Sequence, residues 1–107
     1  MGTDPLVVLQ NLEHLYERGF RDKITDAGLL RVVSSQAARD QVTLRDLERD
    51  LLELEQRYGM SSEEFFRRWL AGDLDDTADF MDWNALHRMA SEVRERLDLL
   101  RGETEAA

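Results

Sequence analysis

The chain has 107 residues and 12.5 kDa, the size of one small domain. Its 23 acids against 14 bases give a net charge of −9, which argues against a general nucleic-acid binder, since that needs a cationic face to release counterions. There is no cysteine, so disulfides, thiolate chemistry and cysteine-based zinc sites are excluded, and no stretch approaches the roughly 18 apolar residues of a membrane span.

Apolar residues make up 42% of the chain, enough for a core, and strand signals are nearly absent. The first helix is expected to start at Asp4-Pro5. Asp4 can cap free N–H groups, and Pro5 suits the first helical position. Leu6, Leu9, Leu12, Leu15 and Tyr16 share one face, Gly19 is the stop, and Phe20 packs back on the end.

After a break at Arg21–Thr25, Thr25 is the candidate cap of a long helix. Its apolar seam runs Leu30, Val33, Ala37, Asp40, Leu44, Leu47, Leu51, Leu54, Tyr58. Steps of three and four alternate along it, the heptad pattern of helices packed side by side. Asp40 is the one polar seam position, and Thr43 with Asp46 reads as a capping pair, so residues 26–58 form one helix, straight or kinked, or two. Gly59 ends the element. Ser61 and Glu64 make a capping box for a short aromatic helix carrying Phe65, Phe66, Trp69 and Leu70, which Gly72 ends. An acidic loop, Asp73 to Thr77, leads to a last helix from about Asp79 to Leu100 with the seam Trp83, Leu86, Ala90, Val93, Leu97, Leu100.

The fold expected is all-α: an antiparallel helical hairpin or bundle of four to five helices around a long central helix with a heptad seam. Residues 1–101 form a single domain and 102–107 a disordered tail. Leftover apolar surface favours a homodimer or a partner. The start of the chain lacks a basic n-region, so no signal peptide and a cytoplasmic location are expected.

Catalytic signals are few. His14 and His87 are the only histidines; they fall on different helices and read as surface or half-buried side chains. The acids Asp73, Asp75, Asp76, Asp79 and Asp82 resemble a cation trap but lack the glycine and register of an EF-hand, and read as a solvated loop with helix N-terminal charges. Phosphate loops and seryl nucleophile elbows are absent, so the chain reads as a non-enzyme without metal or cofactor. The aromatic cluster Phe65, Phe66, Trp69, Phe80 and Trp83 reads either as core or as an anchor patch rimmed by acid, with Arg67 and Arg68 lying over its rings. On the second reading Asp79, Asp82 and Trp83 form a partner-binding face, supported by Phe80 and Trp69, for a basic protein partner. Direct nucleic-acid contact and membrane contact are not expected.

The stretch Tyr58-Gly59-Met60-Ser61-Ser62-Glu63-Glu64-Phe65, followed by Gly72-Asp73, Asp79-Phe80 and Asp82-Trp83, resembles a group of small acidic helical proteins of bacteria and archaea. The resemblance covers roughly residues 44–100. The group's common form is Glu-Trp, where this chain has Asp82-Trp83. It implies the antitoxin half of a toxin–antitoxin module, beside a small toxin of the TumE type. The group offers no shared catalytic motif.

Overall fold

A computed structural model describes residues 2–106, with side chains as far as Gly102. Four α-helices and no strand occur among the described residues: α1 (Pro5–Glu17), α2 (Lys23–Tyr58), α3 (Ser62–Leu70) and α4 (Ala78–Ala106). None is long and apolar enough to cross a membrane. The chain divides into two compact units, Met1–Ser34 and Ser35–Ala107.

In the first unit α1 starts as expected. Asp4 Oδ1 accepts the Leu6 N–H at 2.9 Å, and Pro5 occupies the first turn. Its end is a left-handed glycine stop. Gly19 has φ 97° and donates to the Tyr16 carbonyl, while Phe20 reaches back to the Leu15 carbonyl. The start of α2 corrects the sequence reading: Asp22, not Thr25, is the cap. Asp22 Oδ2 accepts both the Thr25 N–H at 3.0 Å and the Thr25 hydroxyl at 2.8 Å, and the Asp22 carbonyl takes the Asp26 N–H. A carboxylate offers more acceptor sites than a hydroxyl, so the helix begins where the acid stands. Tyr16 ties α1 to this start by donating to Asp26 Oδ1 at 2.5 Å.

In the second unit α2 continues without a break through residues 40–43 to Tyr58. Asp40 does not split the helix because its carboxylate is used across the seam, where Arg96 Nε and Nη2 of α4 donate to its two oxygens at 2.8 Å each. The seam residues Leu44, Leu47, Leu51 and Leu54 of α2 are buried with Phe65 of α3 and Trp83, Ala90, Val93 and Leu97 of α4. Farther along α4, Arg101 donates to Gln41; at the other end, Asp79 accepts from Arg57 and Tyr58.

Two further expectations need correction. The capping box of α3 is half formed: Ser61 Oγ accepts the Glu64 N–H at 3.1 Å, but the Glu64 carboxylate turns to Arg67 and Arg68. Those two arginines therefore pair with Glu64 on their own helix rather than lie over the aromatic rings. Thr77, one residue before α4, caps it through the Phe80 N–H at 3.2 Å, so the helix starts at Ala78. The same helix runs on to Ala106, and Ala107 lies outside the described residues.

Candidate functional site

The sequence-predicted partner face divides into three kinds of residue. Trp83 is fully buried, as the core alternative for the aromatic cluster expects. Its ring stacks on Phe65 at 4.1 Å and 5° interplanar, and its Nε1 donates to Ser62 Oγ at 2.9 Å. An indole this enclosed has its polar edge satisfied and its faces covered, which is the core role. Phe80 and Trp69 are half-buried against the same cluster, Phe80 within 5.0 Å of Tyr58 and Trp69 within 5.8 Å of Phe65 by ring centroid.

The two acids differ from each other. Asp79 is a clamp. Arg57 Nη1 donates to its Oδ2 at 2.9 Å and the Tyr58 hydroxyl at 2.5 Å. The Tyr58 hydroxyl and then Arg57 hold its carboxyl below the usual carboxylate range, while Asp79 in turn pushes the Tyr58 phenol up. Asp82 is exposed and makes no hydrogen bond or ion pair among the described residues. Of the five predicted residues, Asp82 alone presents an uncommitted charge.

The second unit offers a different concavity, a cleft of about 580 Å³ where α2, the start of α3 and α4 meet. Leu51 and Leu52 line it with Glu48 and Glu55 from α2, Ser61, Ser62 and Glu63 from the turn into α3, and His87 and Arg94 from α4. Glu55 Oε2 accepts the Ser62 N–H at 2.7 Å, so this carboxylate also braces the α3 terminus. Arg94 stands 3.8 Å from Glu48, a loose pair with both side chains about half exposed. His87 packs on Phe66 at 4.6 Å between ring centroids. Burial holds its imidazole below its ordinary value; Arg94 adds to that and Glu63 opposes it. It is thus neutral at pH 7.

Sequence reasoning names three of these residues for other roles, Leu51 in the seam, Ser61 as a cap and His87 as a half-buried histidine, but does not group them as a site. The signal was present as spacing: Glu48, Leu52 and Glu55 share one face of α2 at steps of four and three, and His87 and Arg94 share one face of α4 seven residues apart. What the spacing does not reveal is that α3 begins beside both faces.

The hydroxyls nearest the cleft have structural duties, Ser61 in capping α3 and Ser62 in receiving the Trp83 N–H. Among the described residues no group of three or more His, Asp or Glu is arranged to hold a metal ion, and this includes the acids of 73–82. The chain matches no known protein family, curated protein or solved structure.

Proposed function

We propose that the chain is a non-catalytic binding module whose acidic second unit takes a basic protein partner. The observation that carries this reading is the cleft bounded by α2, α3 and α4, an apolar lining of Leu51 and Leu52 with three carboxylates, Glu48, Glu55 and Glu63, around it against one cation, Arg94. The unit that holds it, residues 35–107, has 18 acids against 10 bases, a net charge of −8. A Lys or Arg side chain entering such a cleft lays its alkyl stem on leucine and its charge against carboxylate. The summed negative charge steers a cationic partner toward it.

In this reading α2 and α4 are the antiparallel rods of a hairpin, a packing supported by Arg96 on Asp40 toward one end and Asp79 with Arg57 and Tyr58 toward the other. The role is that of an antitoxin, the function implied by the resemblance over residues 44–100, and the partner is a small basic toxin. The housekeeping use of Ser61, Ser62 and Asp79 supports binding rather than chemistry, since each polar group that converges on the core already serves the fold.

Co-expression tests the proposal. The product of the adjacent gene should co-purify with this chain, and growth arrest by that product should be relieved. Glu48→Lys with Glu63→Lys should abolish both effects while the helical circular-dichroism spectrum is kept. Undiminished binding by that double variant would reject the cleft as the site; the absence of any binding or rescue by the unmodified chain would reject the antitoxin role. A second reading, a self-associating helical scaffold, is favoured by the apolar surface of the first unit.

A further inference from the structure

Residues 2–34 contain no buried side chain. Ten large apolar residues there are exposed, from Phe20 at 39% to Ile24 at 83%, with Leu6, Leu9, Leu30 and Val32 all above half. A 13-residue helix is marginal in water without tertiary cover. The ten side chains together present apolar area on the order of 10³ Å², against the about 800 Å² per partner that a stable dimer buries.

Three observations identify the cover. The first is charge. Residues 1–34 carry 5 acids and 4 bases, a net of −1, while the rest of the chain carries −8. A cationic partner gains little at this near-neutral segment, and an anionic bilayer surface needs a basic polar face that is absent. The second is period. The steps of three and four along α2 continue through Val33 and Leu30, which are 39% and 65% exposed, and this repeat is matched by another helix with the same repeat. The third is the order of charges. Asp22 and Asp26 outweigh Lys23 in the first turn region of α2 and Arg31 follows, with no ion pair to Arg31 among the described residues. In an antiparallel pair of identical segments, each Arg31 comes opposite the other copy's acids, whereas a parallel pair sets like beside like.

We propose that residues 1–34 are a dimerisation arm, α1 and the first turns of α2 pairing with the same segment of a second copy, antiparallel about a two-fold axis. Isologous pairing closes after two copies, so the assembly is a dimer and not a filament. The acidic second unit is left free on both copies, and the arm requires no toxin or other partner.

Sedimentation velocity of the full chain alone, from about 1 to about 200 μM, tests this. The expected species has twice the 12.5 kDa chain mass. Ile24→Glu with Leu30→Glu should return it to one chain mass, with tryptophan fluorescence unchanged because both tryptophans lie in the second unit. Orientation is read separately, using the absence of native cysteine. Mixing Lys23→Cys with Ser34→Cys chains under mild oxidation should give the mixed cross-link in preference to either like pair. An unmodified chain that stays monomeric throughout would overturn the arm, as would a dimer indifferent to the double glutamate variant; preferential like-pair cross-links would overturn the antiparallel order. Should the glutamate variant unfold, the cross-link preference still decides the proposal.

Discussion

Trp83 and Ser62 stand 21 residues apart in sequence, yet the indole N–H of one reaches the hydroxyl of the other at 2.9 Å, both side chains buried. This contact joins the start of α3 to the first turns of α4, with Phe65 stacked on the indole face. Trp83→Ala should cost about 3–5 kcal/mol, the range for emptying an aromatic core site. Ser62→Ala should cost about 1–3 kcal/mol by leaving the indole N–H buried without an acceptor. Urea unfolding followed by circular dichroism measures both. A Trp83→Ala chain as stable as the original would show that the ring is not core.

The pair Asp40–Arg96 is asymmetric. Asp40 is 3% exposed, while the Arg96 side chain is half exposed. Arg96→Ala strands a buried carboxylate with only Gln36 as donor, at 3.0 Å. Asp40→Leu releases Arg96 to water and makes the seam apolar without interruption. Arg96→Ala should therefore lower the thermal midpoint more than Asp40→Leu does. The reverse order would contradict this account. The pair also has a pH signature. Arg96, and after it Gln36, hold the Asp40 carboxyl below its ordinary 3.8, against the effect of burial. The stabilisation is complete above that value and is lost as pH falls through the lower native one. Arg96→Ala should move acid unfolding to higher pH.

Much of the second unit was legible because its cues are local. Gly59 and Gly72 take positive φ at the helix ends where a C-terminal glycine stop was read, and the seams of α2 and α4 supply all but one of the buried apolar side chains. Asp40 was recognised as the polar seam position, but its partner lies 56 residues away, beyond any spacing rule. The partner face was less legible. Asp79 and Asp82 look equivalent in sequence, three residues apart in one helix. Only packing shows that Asp79 meets Arg57 and Tyr58 while Asp82 meets solvent. Trp83 beside an acid fits core and anchor alike, and burial decides between them. Cap positions at Asp22 and Thr77 were missed because several neighbouring residues could each accept the same N–H.

His87 gives a titration at milder pH. Its native value lies below the ordinary 6.5, chiefly from burial against Phe66, with Arg94 adding and Glu63 opposing. The unfolded chain therefore takes up a proton at higher pH than the folded one. Stability should be greatest above about pH 6.5 and decline as pH drops toward the native value. His87→Gln should flatten this decline and leave only the carboxylate losses at lower pH. Urea midpoints at about pH 7.5 and about pH 5.5 compare the two chains. An identical slope in both would remove His87 as its source.

The two tyrosines report the two units separately. Tyr16 donates to Asp26 in the first unit, and that hydrogen bond to a carboxylate pushes its phenol up to about 12. Tyr58 donates to Asp79 in the second, and its phenol is raised for the same reason, with Arg57 opposing. Each contributes stability that is complete below the ordinary 10.0 and disappears as pH rises through the native value. Ultraviolet titration of phenolate should show both groups ionising above that ordinary value. Asp26→Asn removes the charge beside Tyr16 and should bring that tyrosine alone back toward it; Asp79→Asn should do the same for Tyr58 alone. Asp82→Asn, which touches neither ring, should leave both titrations in place. If Asp26→Asn shifted Tyr58, or Asp82→Asn shifted either group, the assignment of each phenol to its carboxylate would fail, and with it the division between Asp79 as a clamp of the fold and Asp82 as a free surface charge.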